Sequence, residues 1–94
     1  MEGLRNLEEF LKEEQVEIGL GFFVGYSLMV HGGYSKSENQ SHYYIIVSDL
    51  STNPSKVLHT EKFTGFEEMT RQGNAISEEI EKDPTKYRQD LLQK

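Results

Sequence analysis

The run from Val16 to His31, VEIGLGFFVGYSLMVH, constrains the fold of this chain more than any other stretch. Its even positions, from Val16 through Ile18, Leu20, Phe22, Val24, Tyr26 and Leu28 to Val30, are all apolar, and its odd positions are mostly small or mixed. Side chains alternate across a strand, so a period of two predicts a β-strand with one face committed to a core. Sixteen extended residues would span roughly 50 Å, beyond the usual strand of up to about ten residues. A bulge or bend is therefore expected at Gly19, Gly21 or Gly25, where no side chain has to move.

The other elements follow from local pattern. Leu4, Leu7, Phe10 and Leu11 recur at helical spacing between Gly3 and Gln15. Gly32 to Ser41 (GGYSKSENQS) reads as a polar, mobile loop, and His42 to Asp49 (HYYIIVSD) as a second strand rich in β-branched and aromatic residues. A hairpin with His31 opposite His42 sets Val30, Leu28 and Tyr26 against Tyr43, Ile45 and Val47, apolar against apolar. Lys56 to Phe63 reads as a third strand after the Asn53-Pro54 turn. Thr64-Gly65-Phe66-Glu67 has the form of a capping box, opening a helix with Phe66, Met69, Gly73, Ile76 and Ile80 on one stripe. Gly73-Asn74 is a weak point where that helix is expected to kink or split. Asp83-Pro84 then restarts a short last helix carrying Tyr87, Leu91 and Leu92.

The expected architecture is α+β: a single two-layer domain over residues 1–94, with a three-stranded antiparallel sheet packed by helices in the order α-β-β-β-α-α. Phe22, Val24, Leu28, Ile45 and Val47 are expected beneath Leu7, Leu11, Phe66, Met69 and Ile76.

Charge narrows the function classes. The chain carries a net charge of −6, and residues 1–17 hold six acids against two bases. Phosphate contacts need clustered Lys or Arg, so direct nucleic-acid or anionic-membrane binding is disfavoured and a basic protein partner is permitted. The apolar run Ile18 to Val30 is shorter than the roughly 20 residues of a membrane-spanning helix. The absence of Cys and the acidic, amphipathic start together fit a cytoplasmic protein.

No catalytic set assembles from sequence. His31, His42 and His59 could serve zinc, or acid–base chemistry, only if they converged on one spot, and their spacing matches no metal signature. The adjacent carboxylates Glu8-Glu9, Glu13-Glu14, Glu67-Glu68 and Glu78-Glu79 point about 100° apart on a helix and so share no site. Gly19-x-Gly21-x-x-x-Gly25 lies inside a strand pattern rather than at a strand-to-helix turn, which excludes a nucleotide-binding loop. No cofactor is implied.

The sequence therefore points to a small non-catalytic protein that binds another protein. Candidate contacts are Phe23, Met29, Tyr44 and Ile46 on the glycine-rich sheet face, Tyr34 and Lys36 in the loop, and Glu8, Glu9, Glu13 and Glu14 on the acidic helix. The glycine-rich face could also pair two copies as a homodimer. Alternatives are a structural homodimer subunit, or a metal- or ligand-binding domain or enzyme built on the histidines.

Two resemblances of architecture bear on this. Helix, three-stranded sheet, helix is the order of double-stranded RNA-binding domains, whose helix N-terminus is basic. Here that position reads Thr64-Gly65-Phe66-Glu67-Glu68, which removes the phosphate grip. The order, length and acidity also resemble some small phage-encoded inhibitors of RNA-guided nucleases, acidic proteins that imitate DNA. That resemblance implies an inhibitor of a nucleic-acid-handling protein, carried by a phage or mobile element.

Overall fold

The computed structural model describes residues 6–36 and 41–87. It is an α+β fold with α1 (Leu7–Glu14), β1 (Val16–Gly25), β2 (Leu28–Lys36), β3 (Ser41–Asp49), β4 (Lys56–Phe63), α2 (Phe66–Lys82) and a 3₁₀ turn at Pro84–Lys86. The strands form one antiparallel sheet in the order β1-β2-β3-β4. No helix among the described residues is long and apolar enough to cross a membrane.

The sheet has four strands, not three, because the long period-two run is a hairpin. Tyr26 and Ser27 both take positive φ, 55° and 59°, and form a two-residue turn that reverses the chain between Gly25 and Leu28. Hairpin turns of this kind need left-handed backbone at both central positions and usually use Asn or Gly. Tyr and Ser give no such signal, so the strand pattern runs on unbroken through the turn. A bulge does occur at Gly19, where the β1–β2 register slips between Ile18 and Leu20, and a second slip between Gly21 and Phe23 falls on Phe22 rather than on a glycine.

The segment read as a loop also belongs to the sheet. Gly32 to Lys36 completes β2, and Ser41 begins β3 opposite Lys36; residues 37–40 lie outside those described. His31 faces Ile46 rather than His42, and Val30 faces Val47 rather than Tyr43. The slip is four residues, an even number, so the face assignments of β2 and β3 survive it.

The fold has three layers, not two, because the helices lie on opposite faces. On one side α2 lays Met69, Ile76 and Ile80 over Leu28, Val30, Ile45 and Val47, all buried. On the other, α1 brings Phe10, with Leu7 and Leu11, against Val16, Tyr44, Ile46 and Val57. β3 is thus covered on both faces, which explains why Tyr43 to Val47 is uniformly apolar. Val24 departs from the expected core: it lies 64% exposed and faces Met29 across the hairpin. Phe66 is half-exposed at the start of α2.

The caps explain where the helices begin and end. Asn6 caps α1, its Oδ1 accepting from Glu9 N–H at 2.8 Å, and Gln15 ends it in left-handed backbone. α2 starts from Gly65 in extended backbone with no side-chain cap, so Thr64 is not the capping residue. The helix runs unbroken through Gly73, which is there for close packing. An added Cβ would lie 2.8 Å from ring atoms of Phe22, and one at Gly32 would lie 3.0 Å from the same ring. The Phe22 ring is wedged between a helix glycine and a strand glycine. Asp83 caps the 3₁₀ turn by accepting from Thr85 N–H, and Tyr87 packs against the α2-side core. Leu91 and Leu92 lie outside the described residues.

Candidate binding groove

Gly32 carries no side chain between Val30 and Tyr34 on the α2 side of β2, and Met69 of α2 comes down over it. The space this leaves is a half-open groove of about 210 Å³, walled by Leu20, Tyr34, Tyr43, Phe66 and Met69, with Gly19 at its rim. Its aromatic wall is continuous: the Tyr34 and Tyr43 ring centroids are 6.5 Å apart, and Tyr43 meets Phe66 edge-on at 5.8 Å. None of the lining residues carries a formal charge. Leu20 and Phe66 remain 40% and 50% exposed, so apolar surface continues out onto the rim. A space this size is below the roughly 300 Å³ of small-molecule pockets and suits one large apolar side chain.

The sequence-predicted residues are scattered. Tyr34 lies in the groove wall, on a strand rather than in a loop, and Lys36 is the last residue of β2. Tyr44 and Ile46 are buried beneath α1, with Phe10 edge-on to Tyr44 at 6.1 Å, so they are core and not free surface. Phe23 is on the opposite side of the sheet, packed against the α2-side core, because the bulge at Phe22 reverses the alternation. The four residues of the proposed glycine-rich interface therefore do not share a surface; only Met29, half-buried, stays on that face near its uncovered end. Glu8, Glu9, Glu13 and Glu14 are exposed on α1. Tyr43, Phe66 and Leu20, the groove residues that sequence assigned to strand packing and core, carry a shared signal: large apolar groups around the Gly32-Gly33 pair.

The histidines do not converge. His31 is buried on the α1 side, its Nε2 3.2 Å from Ser48 Oγ, and burial lowers its pKa from the ordinary 6.5. His59 is on the α2 side, 2.7 Å from Glu61, whose carboxylate also accepts from Gln72 at 3.4 Å. His42 is opposite Ser35 at the far end of β3. Among the described residues no three His, Cys, Asp or Glu side chains group as metal ligands do. Compared with family models, curated proteins and solved structures, the chain matches none.

Proposed function

We propose that this protein is a small cytoplasmic, non-catalytic module that works by binding another protein. The observation that supports this reading is the groove: an uncharged, aromatic-walled space sized for one apolar side chain, opening onto exposed Leu20 and Phe66. Aromatic rims around a small apolar pocket are the usual anchor sites of protein interfaces. The acid on α1 adds a preference for a basic partner, which is where an inhibitor of a nucleic-acid-handling protein would find its target.

The test uses the chain as bait against extracts, with Phe66→Asp as the paired control. Phe66 is half-exposed at the first turn of α2, where an acidic side chain complements the helix dipole, so the variant folds. The expected result is a basic protein retained by the wild type, lost with Phe66→Asp, and bound more weakly as salt rises. Retention unchanged by Phe66→Asp would contradict the reading.

A further inference from the structure

The two edges of the sheet are built differently. β4 carries Lys56, Glu61 and Lys62 along its length, charges of the kind that discourage strand addition. β1, the other edge, carries no charge from Ile18 to Gly25, and Ile18 and Val24 are 41% and 64% exposed. An uncharged edge strand presents unpaired backbone groups to any strand that fits beside it.

Its face pattern selects the partner. Gly21 pairs with His31, Ile18 with Gly33 and Val24 with Met29, which puts all three on the α1 side. Leu20 walls the groove and Phe22 and Phe23 pack against the α2-side core, while Gly19 lines the groove beside Leu20. The two bulges flank Gly21, one on each side. Read outward from Gly21, the strand is therefore symmetric: Leu20 and Phe22 face α2, Gly19 and Phe23 face α2, and Ile18 and Val24 face α1.

We infer that β1 pairs antiparallel with β1 of a second copy of this chain, about a two-fold axis at Gly21, joining two sheets into one of eight strands. In that register each Ile18 lies against Val24 of the other copy, and each Leu20 against Phe22. The bulged residues Gly19 and Phe22 fall opposite Phe23 and Leu20 of the other copy, all four on the α2 side. The one charge in β1, Glu17, falls opposite Gly25 of the other copy. The two Glu17 side chains are then roughly 26 Å apart along the strand, well beyond the screening length. This inference does not depend on the groove, which lies on the α2 face.

The chain has no Cys, so a single introduced thiol reports the axis. An added Cβ meets nothing within 4 Å at Gly21 or at Gly19, so Gly21→Cys and Gly19→Cys both fold. At the axis two thiol-bearing residues are about 4.5–5.5 Å apart between Cα atoms, within disulfide reach. Residues at position 19 are separated by about 13 Å along the strand. The expected result is a covalent dimer from Gly21→Cys on mild oxidation and little from Gly19→Cys. Sedimentation of the wild type should give the dimer mass, Ile18→Lys with Val24→Lys the monomer mass, and Ile18→Glu with Val24→Lys the dimer mass again. A monomeric wild type, equal cross-linking at both positions, or a dimer that survives the two lysines would overturn the inference.

Discussion

The two faces of the sheet are buried by unlike means. The α2 face is covered by a seventeen-residue helix whose Met69, Ile76 and Ile80 meet fully buried residues of β2 and β3. The α1 face is covered by an eight-residue helix that enters beside β4, where Leu7 N–H bonds Ser55 O at 2.8 Å, and leaves into β1. Leu7 and Leu11 stay half-buried there, and three polar side chains, His31, Ser35 and Ser48, are buried on that side of the sheet. Both helices are amphipathic and each caps an apolar cluster, but the cluster under α2 holds more fully buried side chains. Length of cover decides which face carries more of the stability.

The largest effect expected is a contrast between the faces. Ile45→Ala or Ile76→Ala removes a fully buried side chain from the α2 side and should cost about 2–5 kcal/mol. Leu11→Ala on the α1 side, half-buried, should cost about 1 kcal/mol. Urea denaturation of the three variants measures both, and equal losses would erase the distinction.

Gly73→Ala sharpens the account of the α2 face. On helix propensity alone this substitution gains about 1 kcal/mol. Here the new methyl meets Phe22 at 2.8 Å, and the ring is backed by Gly32, so overpacking of about 1–3 kcal/mol should win and the melting temperature should fall. Phe22→Leu in the same chain should recover part of the loss. A rise in stability for Gly73→Ala alone would show the wedge to be loose.

His31 sharpens the account of the α1 side. Burial disfavours its charged form, so its folded pKa is below the 6.5 of the unfolded chain. The unfolded state then binds the proton first as pH falls, and stability drops below about pH 6.5 while being fully present above it. His31→Leu should flatten the denaturation midpoint between about pH 7 and pH 5. An unchanged slope would assign the acid sensitivity to other groups.

What sequence could reveal follows the same physics. β4 was legible at both ends, since Pro54 and Thr64-Gly65 punctuate it. The pairing of Leu28 and Val30 with Ile45 and Val47 on one face was legible from parity alone, which a four-residue slip preserves. The hairpin at Tyr26-Ser27 was hidden, because left-handed backbone at two such residues is held by the strands on either side and leaves no local mark. Reading β1 and β2 as one strand puts Phe23 and Val24 on the wrong faces and stacks α1 with α2. The groove was half visible. Tyr34 stood out in a polar stretch, but that Gly32 makes room for Met69, and so shapes the space, depends on a contact between residues 37 positions apart.

Native-state hydrogen exchange, residue by residue, tests most directly the claim that the faces differ. Amides of α2 and of the central strands β2 and β3 should exchange only through global unfolding, at one shared and highest free energy. Amides of α1 should open at a distinctly lower free energy, because its cover can detach while the α2-side core stays folded. If α1 and α2 amides exchange at the same free energy, the two faces form one cooperative unit and the contrast drawn between them is wrong.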